Sequence, residues 1–322
     1  MDLTVCICTH NRPRYVHDCL EGLAHQTVRP DTFATLLVDS GSTGDAPAML
    51  RHLADATPRT RLIRIDQPGV SLARNTGAAA CGTPYVAYID DDAIPAPDWV
   101  ERILDALAEF DPPPAVLGGR ILPRWLSPLP AWWPSSLRGV LSIIETEGQG
   151  EYRTPPLPAD LAPYAANMVV HVPSLFGAGG FGTGIGRQGT LLLSDEDIQI
   201  AWKLQDLGYS VRYDSRIVVH HQIQSERLTP AWLLERLYWQ GASTVLTRRM
   251  LHRAGSVWRE LPRRIAVAVL CAPAALVPRC STRLLGARWR LAYARGFIRA
   301  VLPIGSHLRQ TRGFAYHAGP EG

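Results

Sequence analysis

Lysine is nearly missing from this sequence of 322 residues, Lys203 being the only one. Positive charge is therefore carried by arginine, and it is unevenly spread. Residues 1–247 hold 19 basic against 27 acidic side chains, whereas residues 248–322 hold 14 arginines against Glu260 and Glu321, so the net charge of +4 conceals an acidic body and a basic end. Metal-binding cysteine spacings are lacking as well. The six cysteines, Cys6, Cys8, Cys19, Cys81, Cys271 and Cys280, form no CxxC and accompany no paired His cluster, so neither a zinc site nor a disulfide framework is indicated. Cys6 and Cys8 lie in an apolar, strand-like run and read as buried thiols. No basic segment followed by an apolar stretch opens the chain, so no secretory signal is expected and a reducing cytoplasm is the expected location. No run of about 18 apolar residues occurs, which argues against an ordinary membrane span. Repeats and low-complexity tracts are absent too. With 46% hydrophobic and 19% charged residues, the chain is composed to bury a sizeable core.

What is present begins with an alternation of two periods. Apolar, β-rich runs at Thr4–Cys8, Ala34–Val38, Leu62–Ile65 and Tyr85–Ile89 are separated by helix-like stretches near Tyr15–Gln26, Ala46–Ala56 and Ser71–Cys81. Strand and helix repeated with short connections imply a parallel sheet covered on both faces. Ligands of such sheets gather at the carboxyl ends of the strands, which marks Thr9–Arg12, Asp39–Asp45 and Asp90–Asp92 for inspection. The texture then changes. Residues 112–164 carry many prolines, the tryptophans Trp125, Trp132 and Trp133, and the pair Gly118–Gly119, which reads as a looped insertion and not as continued sheet. A glycine-rich stretch from Gly177 to Gly189 leads into a helix from Ser194 to Gly208, followed by short strands at Val211–Tyr213 and Ile217–Val219. From Pro230 the chain looks helical and basic. The expected organisation is 1–111, a βα half; 112–229, a second half with a loop insertion; and 230–322, a basic helical extension.

Asp90–Asp91–Asp92 directly follows a buried strand. Adjacent carboxylates repel one another unless a cation or hydrogen-bond donors neutralise them, and a hard divalent ion shared with substrate phosphates is one solution. A solvated acidic turn is the other reading. Ser194–Asp195–Glu196–Asp197 opens a helix; Ser194 with Asp197 fits a capping box, yet capping needs a single acid. His220–His221 closes an apolar strand and reads either as a structural pair or as part of a mixed oxygen–nitrogen metal shell. Gly177–Gly182 has the spacing GxGxxG, but no helix follows it directly, so dinucleotide binding is not expected; a loop over a substrate fits better.

Taken in order, these landmarks resemble the family-2 glycosyltransferases of GT-A fold. Cys8-Thr-His-Asn-Arg-Pro13 is similar to that family's opening strand and turn, Val38-Asp-Ser-Gly-Ser-Thr43 to its second strand end, Gly69-Val-Ser-Leu-Ala-Arg-Asn-Thr-Gly77 to its GxxxARNxG helix, and Tyr88-Ile-Asp-Asp-Asp92 to its DxD motif. Ala166-Asn-Met168, Gly179-Gly-Phe181, Glu196-Asp197 and His221 with Arg227 follow in family order, so the resemblance covers residues 3–245. Two departures stand out: Ala165–Ala166 where glycines are often seen, and Ser40 after Asp39 where an acid or amide is common.

The resemblance implies an α/β fold with a mainly parallel, Rossmann-like sheet, and an inverting transferase that uses a nucleotide-sugar. It implies donor contacts from Thr9, Asn11, Arg12, Asp39, Arg74, Asp90 and Asp91, with Thr9 and Asp39 at a nucleoside of UDP or dTDP type. Mg2+ or Mn2+ would sit on Asp90, Asp92 and His221, the acceptor would meet Asn167 and Glu196, and Asp197 would be the general base. The rivals are a sugar-nucleotide-binding module without activity, which should lack the base; a nucleotidyltransferase, whose glycine-rich loop with a Lys is missing; and a glycoside hydrolase, which needs neither DxD nor a nucleotide edge. No nucleic-acid partner is expected, and the acceptor is open among glycans, lipid-linked sugars and small molecules. Ile265–Pro278 is apolar but spans only ~21 Å as a helix. Flanked by arginines, it predicts either burial against the domain or peripheral attachment of residues 248–322 to an anionic membrane.

Overall fold

Residues 3–302, apart from 156, 159 and 188–190, are described by a computed structural model of the chain. Gly189 of the glycine-rich stretch and residues 303–322 of the basic extension lie outside the described residues. The four early apolar runs are strands β1 (Leu3–Thr9), β2 (Phe33–Ser40), β3 (Thr60–Ile65) and β4 (Tyr85–Asp90), connected by helices α1 (Pro13–Ala24), α2 (Ala46–Ala56) and α3 (Val70–Ala79). In α1, Val16, Cys19, Leu20 and Leu23 form the buried stripe that helical periodicity demands, and a proline in the first turn suits a start where amides have no intrahelical partner. β1 pairs in parallel with both β2 and β4, and β2 with β3, so all four carboxyl ends share one edge. The order β3–β2–β1–β4 makes the chain change direction beside β1, where α/β sheets open a crevice. Register sets Thr9 opposite Asp39 and Cys8 opposite Asp90.

The sheet then continues through residues expected to be irregular. After β5 (Ala93–Pro95) and α4 (Trp99–Glu109) come β6 (Val116–Trp125), β7 (Gln149–Glu151), β8 (Asn167–His171), α5 (Val172–Gly177), α6 (Glu196–Asp206) and β9 (Val211–Ile223). Beyond β4 the order is β8–β6–β9–β5, with β7 on β9. Gly118 and Gly119 lie inside β6 and do not mark a turn: a Cβ on Gly118 would sit 2.2 Å from the Tyr152 hydroxyl, and one on Gly119 2.3 Å from the Ile217 carbonyl. These glycines admit close neighbours, a second meaning of glycine in a strand. The two short strands expected at 211–219 are one strand, its polar middle held by β7 and by the Asp214 carboxylate accepting from the Arg216 amide.

α7 (Pro230–Met250), α8 (Ala254–Cys271), a 3-10 turn at Ala272–Leu276 and α9 (Leu285–Val301) complete the described residues. α7 and α9 cross in backbone contact. A Cβ on Gly241 would lie 2.1 Å from the Tyr293 carbonyl, and one on Gly296 1.8 Å from the Tyr238 carbonyl. Phe297 and Val245 are fully buried there, so α9 is packed against the protein. α8 is different: Val257 is its only buried residue, while Trp258, Ile265, Val269 and Leu270 are exposed. Among the described residues no helix is long and apolar enough to cross a membrane.

Candidate active site

A cleft of about 530 Å³ opens at the carboxyl ends of β1 and β4 and is closed by the start of α6, the end of β9 and α7. Its acidic floor is the Asp90–Asp91–Asp92 triplet, which is largely buried and neutralised by donors. Thr9 Oγ1 donates to Asp91 at 2.7 Å, and Arg12 grips Asp91 at 2.8 Å and Asp92 at 2.6 Å. Gln224 and Arg227 also donate to Asp92 Oδ2, at 2.9 and 3.1 Å. Burial alone would raise the Asp92 carboxyl, but His221, Arg12 and Arg227 hold it well below the usual carboxylate range. Asp91 is raised to about 7, by burial first, against the pull of Arg12. Asp90 is the more open member, with one oxygen 3.3 Å from Arg74.

β5 explains how a distant histidine arrives. Ala93 pairs with His221 across the β5–β9 ladder, and the Gln222 amide donates to the Asp92 carbonyl at 2.8 Å. His221 Nε2 therefore stands 3.3 Å from Asp92 Oδ1. Its Nδ1 lies 3.0 Å from the Leu141 carbonyl, which can only accept, so Nδ1 carries hydrogen and Nε2 is the nitrogen turned to Asp92. Oxygen and imidazole nitrogen at that spacing fit neighbouring ligands of one small divalent cation, whose bonds to such atoms are about 2.1 Å. Arg227 Nη1, 3.3 Å from Nε2, fills part of that space and would have to yield. Asp90 does not join the pair closely: among the described residues the one trio of His, Cys, Asp or Glu with ligand atoms all within 4.8 Å is His17, Asp18 and Glu21 on α1.

Across the cleft, α6 presents Glu196 and Asp197. Arg74 on α3 bridges the two acidic groups, 2.6 Å from Glu196 Oε1 and 3.3 Å from Asp90. Its neighbour Asn75 clamps the Phe181 backbone through both its amide and its carbonyl, at 2.8 and 2.9 Å, which seats the Phe181 ring beside Tyr88. Glu196 Oε2 is buried with no hydrogen-bond partner among the described residues, and Gly186, at φ +87°, leaves room for it: a Cβ there would come within 3.0 Å. The capping reading of this segment is not what forms. Asp195 is the N-cap, in left-handed conformation and without a side-chain cap bond, and Ser194 donates to Asp195. Asp197 Oδ2 accepts from the Ala165 amide at 2.9 Å and Oδ1 from the Ile198 amide at 2.8 Å. Burial, then the neighbouring Glu196, raises its carboxyl to about 7.

Three residues expected in the site serve elsewhere. Asn167 is 1% exposed and off the cleft wall; its amide donates to the Arg120 and Ile217 carbonyls and its oxygen accepts from Trp99, so it ties strands together and cannot meet an acceptor. Asp39 is fully buried, one oxygen on the Ser42 amide and the other on Arg64 at 2.7 Å, and the cleft wall at that point is Ser40, Pro68 and Gly69. Asn11, at φ +58°, shapes the β1–α1 turn by bonding Ser42 and Thr43, a conformation asparagine tolerates well. The GxGxxG segment starts on the last residue of α5 and enters no helix, so it is no dinucleotide turn. Sequence reasoning missed His10, Tyr164, Arg187, Arg236 and Gln240, all on the cleft wall. Nothing local marks them; they meet through long-range packing.

Residues 4–142 match the sequence profile described as "Glycosyl transferase family 2". That segment is a family-2 glycosyltransferase domain, and the chain is a glycosyltransferase. The glycosyltransferase is similar to the glucosyl-dolichyl phosphate glucuronosyltransferase of Haloferax volcanii, 26% identical over 246 residues that cover 76% of each chain. It is also similar to the pre-mycofactocin glycosyltransferase of Mycobacterium tuberculosis, at 27% identity over 56% of this chain and 35% of that one. Among solved structures, the mannosyltransferase PcManGT of Pyrobaculum calidifontis, in complex with GDP-Man and Mn2+, aligns with a TM-score of 0.59 and 18% identity, covering 94% of this chain and 87% of that one. Residues 1–349 of S. aureus TarS, in complex with UDP, align with a TM-score of 0.53 and 14% identity over 94% and 92%. The glycosyltransferase thus has the GT-A fold.

Proposed function

We propose that this glycosyltransferase moves a sugar from a nucleoside-diphosphate sugar, of UDP or dTDP type, onto an acceptor hydroxyl with inversion at the anomeric carbon. The observation that carries the reading is a buried, unpaired-by-cation carboxylate, Asp197, facing a donor-neutralised acid cluster across one cleft. Asp197 takes the hydroxyl proton as the acceptor oxygen bonds to the anomeric carbon. The bond from that carbon to the phosphate oxygen breaks, and its electron pair leaves with the nucleoside diphosphate. Arg227 and Arg187 add positive charge for the diphosphate, and the free Glu196 Oε2 suits a sugar hydroxyl. Thr9 and Arg12 act by holding Asp91 and Asp92, leaving His10, Ser40 and Gly69 to flank the nucleoside. Mg2+ or Mn2+ bound at Asp92 Oδ1 and His221 would act as a Lewis acid on the leaving group. The GDP-Man and Mn2+ of PcManGT and the UDP of TarS support a nucleoside-diphosphate donor and a divalent ion, and the UDP favours a pyrimidine base. A panel of UDP-, dTDP- and GDP-sugars, scored by thermal shift and by release of nucleoside diphosphate, tests it. A pyrimidine donor should stabilise most; no shift and no release with any donor would overturn the reading.

The reading extends to a membrane-delivered acceptor, supported by the dolichyl phosphate in the Haloferax relative's name. α8 and the 3-10 turn expose Val269, Leu270 and Leu276 at 67%, 80% and 89%, with Arg259, Arg263, Arg279 and Arg283 exposed around them. Such a face suits the interface of an anionic leaflet, where each basic residue contributes about 1 kcal/mol. The protein is expected to float with anionic vesicles, to be released by salt, and to lose binding in a Val269→Glu, Leu270→Glu double variant. Equal binding to neutral vesicles would remove the electrostatic part, and none to either would leave the patch without this role. Deleting residues 248–322 is a poorer test, since it strips α9 from α7.

A further inference from the structure

The α7 wall of the cleft carries a buried guanidinium with no ion pair among the described residues. Arg236 is 9% exposed, its Nη1 is buried without a hydrogen-bond partner, and it forms no ion pair among the described residues. Acids are close by but already engaged. Asp195 accepts from Gln240 at 2.9 and 3.0 Å and from Ser194 at 2.8 Å, Asp197 from two backbone amides, and Glu196 Oε1 from Arg74. Burial depresses the Arg236 guanidinium, with Asp195 and Tyr164 only partly restoring it. Buried polar groups are almost always paired, and an orphaned guanidinium is costly enough to call for a partner from outside the chain. Position narrows that partner. Arg227 serves Asp92 at the donor end, whereas the groups acting on Arg236 are Asp195, Tyr164, Glu196 and Asp197, at the end of the proposed base. Tyr164 and Ser136 line the same cleft and add hydroxyl donors, and the planar fork of an arginine matches an oxyanion with two or three oxygens.

We propose that Arg236 is the recognition site for a phosphate-type oxyanion on the acceptor, close to the hydroxyl that Asp197 deprotonates. This rests on the transfer reading and adds the acceptor's chemical class to it. The shared chemistry is a phosphate, borne either by a lipid or by a soluble sugar. The test titrates two probes, decyl phosphate and glucose 1-phosphate, into the full chain by calorimetry, with and without saturating nucleoside diphosphate and Mg2+. Wild type should bind a probe while nucleotide is present, and the tighter probe identifies the source. Arg236→Gln should weaken the probe by at least about 10-fold, the scale of a lost charged hydrogen bond, and leave nucleotide affinity unchanged. If nucleotide abolishes probe binding, Arg236 serves the donor and the proposal fails; wild-type affinity in a folded Arg236→Gln also overturns it. Should that variant not fold, Arg236→Lys decides, because it keeps the charge but not the fork, and undiminished probe affinity would refute the site. If no nucleotide binds wild type, the donor reading fails, and the nucleotide-free titrations still judge Arg236.

Discussion

Asp197→Asn is expected to fold, bind nucleotide-sugar as tightly as wild type, and lose transfer by ~10²–10⁴-fold, the usual worth of a positioned base. The amide has the shape of the carboxylate, yet only one of its atoms can accept a hydrogen bond, so either the Ala165 or the Ile198 amide loses its partner. That costs about 1–3 kcal/mol, enough to see in Tm and too little to unfold the protein. The sign of the pH dependence follows from the same environment. Burial and Glu196 raise the Asp197 carboxyl to about 7, and a base works only when ionised. The wild-type rate should therefore climb as pH rises through about 7 and level off above it, while residual transfer by the Asn variant should lack that limb. A folded Asn variant with normal transfer, or a wild-type rate flat from mildly acidic to mildly basic pH, would return Asp197 to holding two backbone amides.

Chelation should have the second large effect. EDTA is expected to lower turnover by at least ~10²-fold, with recovery on adding Mg2+ or Mn2+, in line with several kcal/mol of charge stabilisation. Asp92→Asn should reproduce the loss without recovery. Asparagine is preferable to alanine because Asp92 receives Arg12, Gln224, Arg227 and His221, and emptying that position would strand two guanidinium groups. Circular dichroism and Tm separate a folded, inactive variant from a collapsed one. Full turnover in EDTA would show that Arg12, Arg227 and His221 suffice to neutralise the acids, and the ion would drop out of the mechanism.

Much of the first half was legible because its signals are local. Period-two apolar runs and period-3.6 stripes depend on residues two to four apart, and parallel pairing then sends every strand's carboxyl end to one edge. Alternation alone puts Thr9, Asp39 and Asp90 on that edge, and the strand register agrees. Edge position does not decide what a side chain does, however. Asp39 turns inward to Arg64, and Asn167 spends its whole amide on Trp99 and two carbonyls. A polar residue that satisfies the core and one that greets a ligand look alike in sequence, since both sit in apolar surroundings.

By itself, then, the sequence determined the strand–helix alternation, the edge where chemistry collects, the acids on β4 and α6, and a chain end rich in arginine. Tertiary structure alone decided that Gly118 and Gly119 lie within a strand, that β5 lays Asp92 against His221, and that Arg74 reaches Glu196 across a separation of 122 residues. It also split the basic end, burying α9 against α7 through Gly241 and Gly296 while leaving the apolar face of α8 exposed, and it left Arg236 with no ion pair among the described residues. The reason is one of range. Periodicity and turn chemistry are written in neighbouring residues, but which atoms fill a cleft, and which charges go unpaired there, depends on contacts between segments that share no local signal.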